Sequence, residues 1–273
     1  MINLMGLQMY TEFNDFKEKL DIFEKIKGAV FELCGANVIN NSSLALEIGG
    51  IGGLLAGIVS NAGPRVICTD IVDTQVNYNG EFPRLLKEKF ERNGIAFDLS
   101  KVEFHKSDAQ DLIYGNEKFD FVYSLNAFEH IPDPIKAINE TARVLRKGGV
   151  FYASFDPVWT ADSGSHFIEY VVEPWLHLLL SDAEFRTRMR EGGAAQWQID
   201  QYPAAMNGLP AGFYKKEFTH EIKNLFRKSA VASWSGCINH DHVDHPNRFN
   251  AAKLMRSDPD ELLIRGFQFV AVK

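Results

Sequence analysis

The sequence predicts an α/β protein: a doubly wound, mostly parallel sheet with helices on both faces, an antiparallel last strand and a helical insertion after the fifth strand. Three observations carry this expectation. Short apolar runs alternate with amphipathic stretches five times between Leu44 and Phe155, and the connections are too long for hairpins. The first apolar run enters a turn with glycine at 49, 50, 52 and 53, where the backbone must bend and approach a neighbour closely. Carboxylates recur at the ends of successive runs: Glu47 in the first, Asp70 after the second and Asp108 after the third.

Each element follows from local pattern. Over residues 11–33, Phe13, Phe16, Leu20, Phe23, Ile26 and Val30 recur in steps of three and four, which predicts an amphipathic helix. Asn40, Asn41, Ser42 and Ser43 make a polar turn before a strand at 44–48. A helix at 54–61 closes at Ala62-Gly63-Pro64, and a strand at 65–69 leads to Asp70. The helix at 82–93 is stopped by Gly94. Strands at 102–105 and 119–124 follow, then a helix at 134–146 stopped by Gly148-Gly149, then a strand at 150–155.

After Asp156 the alternation is lost. Aromatic and proline-rich pieces (PVW, EPW, QYP, GLPAGFY) surround one or two helices over 169–190. Strands return at 231–235 and 262–272. The organisation expected is a ligand-binding core at 1–156, a lid insertion carrying an acceptor pocket at 157–230, and C-terminal strands at 231–273 that complete the sheet.

Bulk properties narrow the function. The chain has 273 residues, 45% apolar and 24% charged, with 12% aromatic content that suits a filled core or an apolar pocket. A net charge of −7 argues against a nucleic-acid partner, and the lack of an 18-residue apolar run argues against a membrane span. Three isolated cysteines and an N-terminus without a basic-then-apolar signal fit a cytoplasmic protein. Nothing in the sequence assigns an oligomeric state.

In an open α/β sheet, ligands sit outside the carboxyl ends of the strands. A helix N-terminus behind a glycine turn suits an anionic or polar ligand, and a carboxylate about 20 residues further on is placed for a ribose diol. A nicotinamide dinucleotide would ask for G-x-G-x-x-G, but Leu55 stands at the last glycine position.

Taken together, LALEIGGIGG, VICTDIVD, HKSDAQDL and FDFVYSLNAFEHIPDPIKAINETARVLRKGGVFYASF resemble the class I S-adenosylmethionine-dependent methyltransferases, in the small-molecule, type 11-like branch. The resemblance covers about residues 40–156. It implies a Rossmann-like core and S-adenosyl-L-methionine as cofactor. By it, Glu47, Gly49, Gly50 and Gly53 shape the methionine side of the pocket. Asp70 holds the ribose hydroxyls, Ile71 lies against the adenine, Asp108 and Ala109 meet the adenine edge, and Asn126 faces the methionine end. Ile51 stands where the family's ExGxGxG pattern has glycine.

Methyl transfer is a displacement governed by proximity and orientation, and a hydroxyl acceptor benefits from a general base such as histidine. His130, in NAFEHIPDP, is one candidate, against a loop-pinning role. His166 is the other: the segment from Pro157 through Trp159 to His166 resembles a P-x-W…G-x-H stretch of some family members. Trp159 and His166 are therefore expected at the acceptor. His240, His242 and His245 lack a metal-binding spacing, and no metal is assigned. The expected activity is O-methylation of a small-molecule or sugar-like acceptor. A non-catalytic cofactor-binding module or an interaction protein on the same fold is the alternative.

Overall fold

The computed structural model describes residues 14–35, 37–73 and 80–273. Residues 11–13 of the first predicted helix, Phe13 included, lie outside the described residues. The helix α1 (Asn14–Cys34) buries Phe16, Phe23, Ile26 and Val30, while Leu20 stays exposed. Then come β1 (Leu44–Ile48), α2 (Leu54–Asn61), β2 (Arg65–Asp70), α3 (Phe82–Arg92), β3 (Val102–Lys106), β4 (Phe119–Leu125), α4 (Pro134–Val144) and β5 (Leu145–Phe155). The helix predicted to reach Arg146 ends at Val144, because the backbone from Leu145 is already extended.

The sheet order is β3-β2-β1-β4-β5-β7-β6, with β6 spanning Lys228–Ser235 and β7 spanning Ile264–Val272. β7 runs antiparallel to both β5 and β6, and the inner pairs are parallel. β6 thus starts three residues before its predicted position and β7 two after.

Strand alternation separates the two faces. Ala45, Val66, Cys68, Phe121, Tyr123, Val150, Tyr152 and Val270 pack under α1, α2 and α3. Leu46, Ile67, Val122, Phe151, Ala153, Phe267, Phe269 and Ala271 pack under α4 and the helical stretch 211–225. The sheet is therefore doubly wound, with near-continuous apolar strands because both sides are covered.

Between β5 and β6 lie a single helical turn at Leu176–Leu179, the helices α5 (Asp182–Glu191) and α6 (Gln196–Gln201), and a run from Ala211 through a π-helical Tyr214–Phe218 into α7 (Thr219–Leu225). Ser181 and Glu184 cap α5 reciprocally. This segment has its own core of Phe167, Val171, Phe185, Met189, Ile199 and Tyr202. Asp162, with a fully buried side chain, joins it to the end of the chain: its carboxylate accepts from Ile238 N at 2.8 Å, His242 Nδ1 at 2.7 Å and Arg265 Nη1 at 3.3 Å.

Phe269 lies on the face of β7 that the helical stretch 211–225 covers. It meets Phe218 edge-on at 4.9 Å and stacks near Phe155 and Phe267 at 6.0 and 5.8 Å. Truncating a buried aromatic removes transfer energy and leaves a cavity. Phe269→Ala is expected to lower stability by about 3–5 kcal/mol in urea unfolding; a loss below about 1 kcal/mol would contradict this packing.

Candidate active site

The connections after β1, β2, β3 and β4 meet at the carboxyl edge of the sheet. Gly49 N and Gly50 N each donate to Thr69 O at 2.9 Å, and Thr69 Oγ1 returns a bond to Glu47 O at 2.6 Å. Across the other side, Ser124 Oγ donates to Ile48 O at 3.0 Å. Gly49 has φ +74°, and a Cβ there would lie 2.3 Å from Ala127 Cβ. Only glycine lets the β1 and β4 loops come this close. Asn126, at φ 49°, turns the β4 loop in the left-handed region that asparagine tolerates, and its N–H is held by Ser154 O at 2.8 Å.

These loops enclose a cavity of about 360 Å³. Its walls include Gly49, Asp70, Ile71, Asp108, Ala109 and Asn126, as the sequence led us to expect, and His130. Asp70 Oδ1 accepts from Val72 N at 2.8 Å, and Asp108 Oδ1 from Gln110 N at 2.8 Å, which fixes both carboxylates at the rim while leaving lone pairs for a ligand. Burial raises the Asp70 pKa above the usual carboxylate value, against the pull of the Val72, Ile51 and Ile71 N–H groups. Ile51 also lines the cavity, half-exposed, where the glycine of the expected pattern would stand.

Three expected pocket residues do not line the cavity. Glu47 shares a strand face with Ala45, so its carboxylate is buried beneath the helices, with Tyr123 Oη donating to it at 3.4 Å. Gly50 is packed against that side chain and Cys68 Sγ, and Gly53 against Phe104 and Phe82. These residues shape the loop from behind. Burial lifts the Glu47 pKa to about 7, opposed by hydrogen bonds from Cys68 and Tyr123.

The acceptor-side residues also settle differently. Trp159 packs edge-on to His177 at 4.8 Å and near Tyr202 at 6.3 Å, in the core of the segment after β5. His166 stands behind His130, ring edge to face at 4.9 Å. Its Nε2 donates to Pro157 O at 3.2 Å, and burial brings its pKa down to about 4, so the ring is neutral at pH 7 and a weak base. His130 is the imidazole that reaches the cavity. Its Nδ1 donates to Ala205 O at 2.6 Å, which leaves the Nε2 lone pair free when the ring is neutral.

Glu129 escaped the sequence reading. Its side chain is fully buried, neither carboxylate oxygen has a hydrogen-bond partner, and His130 Nε2 lies 3.9 Å from Oε1. Burial holds its pKa well above the ordinary carboxylate value. Asn207, from the segment after β5, fixes this loop: its N–H donates to Glu129 O at 3.0 Å, and its Nδ2 donates to Phe128 O at 2.9 Å and Ile131 O at 3.0 Å. In the His240–His245 stretch, His242 is bonded to Asp162 and His245 Nδ1 accepts from Asn247 N at 3.2 Å.

Residues 46–153 match the family model described as a methyltransferase domain. This stretch is thus similar to methyltransferase domains. S-adenosyl-L-methionine is the cofactor that this similarity implies. The match takes in β1 to β5, and with them every wall of the cavity. Over 109 residues the chain is 26% identical to the ubiquinone biosynthesis O-methyltransferase of Actinobacillus pleuropneumoniae, covering 40% of this chain and 44% of that one. It is 30% identical over 104 residues to the 27-O-demethylrifamycin SV methyltransferase of Amycolatopsis mediterranei, covering 38% and 33% of the two chains. The aligned part is thus less than half the length of these relatives. YcgJ from Bacillus subtilis superposes with a TM-score of 0.50 at 15% identity, over 94% of this chain and 98% of that one, which is a likeness of fold.

That cofactor fits the cavity: the Gly49 cradle would be filled by a Cβ, and two carboxylates with free lone pairs stand at the rim beside apolar Ile51 and Ile71. One consequence of the fold concerns Glu47. Its folded pKa is raised from 4.5 to about 7, so between these values the native state binds more protons than the unfolded one. Stability from this group is present below pH 4.5 and is lost as pH rises through 7, by up to an order of 3 kcal/mol. Glu47→Gln is therefore expected to gain stability over wild type at pH 8 but not at pH 5 in denaturant titrations. An equal difference at both pH values would refute the assignment.

Proposed function

We propose that this protein transfers a methyl group from S-adenosyl-L-methionine to an oxygen of a small-molecule acceptor. The observation that carries the reading is the cavity itself, whose walls bring together the Asp70 and Asp108 carboxylates, the His130 imidazole with a free lone pair, and apolar Ile51 and Ile71. When bound, the cofactor supplies a sulfonium methyl group. Asp70 would hold the ribose hydroxyls, Asp108 and Ala109 the adenine edge, Ile51 and Ile71 its faces, and Gly49 and Asn126 the methionine end. His130 then stands on the acceptor side, where it orients a hydroxyl and favours its deprotonated form. The neutral His166 ring supports His130 edge-on rather than acting as the base.

The relatives support an oxygen acceptor in kind: two of them are named as O-methyltransferases or as acting on a 27-O-demethyl compound. A further relative, from Cereibacter sphaeroides, is named a phosphatidylethanolamine N-methyltransferase, at 29% identity over 127 residues. The free imidazole favours the oxygen reading, since a hydroxyl needs a proton acceptor more than an amine does. The net charge of −7 goes with a small molecule rather than a nucleic acid. Among the described residues no helix is long and apolar enough to cross a membrane. A cytoplasmic location is part of this proposal, supported by the three isolated cysteines, which are free in the structure.

Incubation with methyl-labelled S-adenosylmethionine and a metabolite extract is expected to place the label on a small molecule, read by mass spectrometry. His130→Ala should lower that turnover by about 10²–10⁴-fold with cofactor affinity within a few-fold of wild type. Cofactor binding without label in any acceptor would favour the non-catalytic module instead, and an unchanged rate would remove His130 from the site.

A further inference from the structure

At His130 the cavity adjoins a group of side chains that has no role in the cofactor contacts proposed above. Glu129, His130 and His166 each offer one donor atom, and the three donors lie within 4.8 Å of one another. Glu129 is the unusual member. A carboxylate with no exposure and no hydrogen-bond partner on either oxygen is costly in a folded protein. A buried carboxylate is stabilised by a cation that faces it, and among the described residues no lysine or arginine is ion-paired with Glu129; its one recorded neighbour of that kind is His130.

The two histidines are prepared in the same manner. Carbonyl oxygens only accept, so the bond from His130 to Ala205 O places its proton on Nδ1, and the bond from His166 to Pro157 O places that ring's proton on Nε2. Each neutral ring keeps one lone pair, and each is oriented through its other nitrogen by a backbone carbonyl, which is the arrangement that metal-ligating histidines use. His166 is also held at φ 64°, a conformation that a non-glycine residue adopts only when its surroundings impose it.

We propose that Glu129, His130 and His166 form a binding site for one divalent first-row transition-metal ion at the acceptor end of the cavity. Two imidazoles and one carboxylate suit zinc, cobalt, iron or manganese, and select against magnesium and calcium, which prefer oxygen donors. Donors around a tetrahedral ion with bonds near 2.1 Å are about 3.4 Å apart. The site therefore needs its donors to close by up to about 1.4 Å, within reach of rotation at Glu129 and His130. Three protein ligands leave a coordination position open, as in catalytic rather than structural sites. Because His130 lines the cavity, that position opens toward the acceptor, and an acceptor oxygen would complete it; with the ion bound, the His130 lone pair is held by the metal, and the ion in place of the free imidazole would favour the deprotonated hydroxyl. This revises the expectation that the chain holds no metal. The use of the ion rests on the methyl-transfer reading, but its binding does not.

The test uses metal-free full-length protein and Co²⁺ as probe. Wild type is expected to bind one ion per chain with visible d–d absorption, and Zn²⁺ should displace it in calorimetry. Glu129→Gln and His166→Ala should each weaken Co²⁺ binding at least about tenfold, while Glu129→Gln still binds S-adenosylmethionine. A His240→Ala, His245→Ala double variant should keep the absorption. No absorption from wild type at about tenfold molar excess of Co²⁺ would overturn the proposal. So would absorption unchanged in both site variants, or its loss in the His240, His245 variant. Cofactor binding in Glu129→Gln separates a failure of the metal site from a failure of the methyl-transfer reading.

Discussion

The close approach of the β1 and β4 loops is the constraint on which the rest of this molecule depends. Gly49 and Ala127 meet where a Cβ on residue 49 would fall 2.3 Å from the Ala127 methyl. With the loops pinned together there, the chain after β1 turns to α2 on one face of the sheet and the chain after β4 to α4 on the other. The crevice lies where these paths diverge, at the carboxyl ends of the strands. Asp70 and Asp108 reach it because β2 and β3 end at the same level, with Ser107 N donating to Asp70 O at 2.9 Å. The cofactor wall is thus a product of strand register, and needs little from the rest of the chain.

The acceptor wall has a different origin. Glu129 and His130 sit on a loop held in place by Asn207, from the segment between β5 and β6, and His130 is oriented by Ala205 of the same segment. That segment is in turn tied to β7 and the chain after β6 through Asp162. The two buried carboxylates make a useful contrast. Asp162 receives bonds from Arg265, His242 and the Ile238 N–H, and so holds structure together. Glu129, equally buried, receives none. A buried acidic group without partners is a kind of group that clusters at functional sites.

Much of the first wall was legible in the sequence, since period-two apolar runs, turn glycines and carboxylates one step past a strand are local signals. Asp70, Ile71, Asp108, Ala109 and Asn126 all reach the cavity for that reason. The role of Glu47 was misjudged although the alternation in Leu44–Ile48 already places it with Ala45 on a helix-covered face. The second wall was largely hidden. The segment after β5 has no sustained periodicity, so the sequence does not say that Trp159 enters a local core, that His166 stands behind His130, or that Asn207 reaches back to the β4 loop. Glu129 was overlooked because a glutamate beside a histidine near a helix start looks like a solvated residue. Only tertiary packing shows that it is buried and unpartnered.

The central claim is that the crevice between the β1 and β4 loops is an adenosyl-binding site with Asp70 as its ribose anchor. Calorimetric titration of S-adenosylhomocysteine into wild type and Asp70→Asn tests it most directly, because that ligand needs no acceptor. Loss of hydrogen bonds to a charged group predicts binding about 10- to 100-fold weaker in the variant, with the fold intact. Equal affinity in the two proteins, or no binding to wild type, would contradict the account.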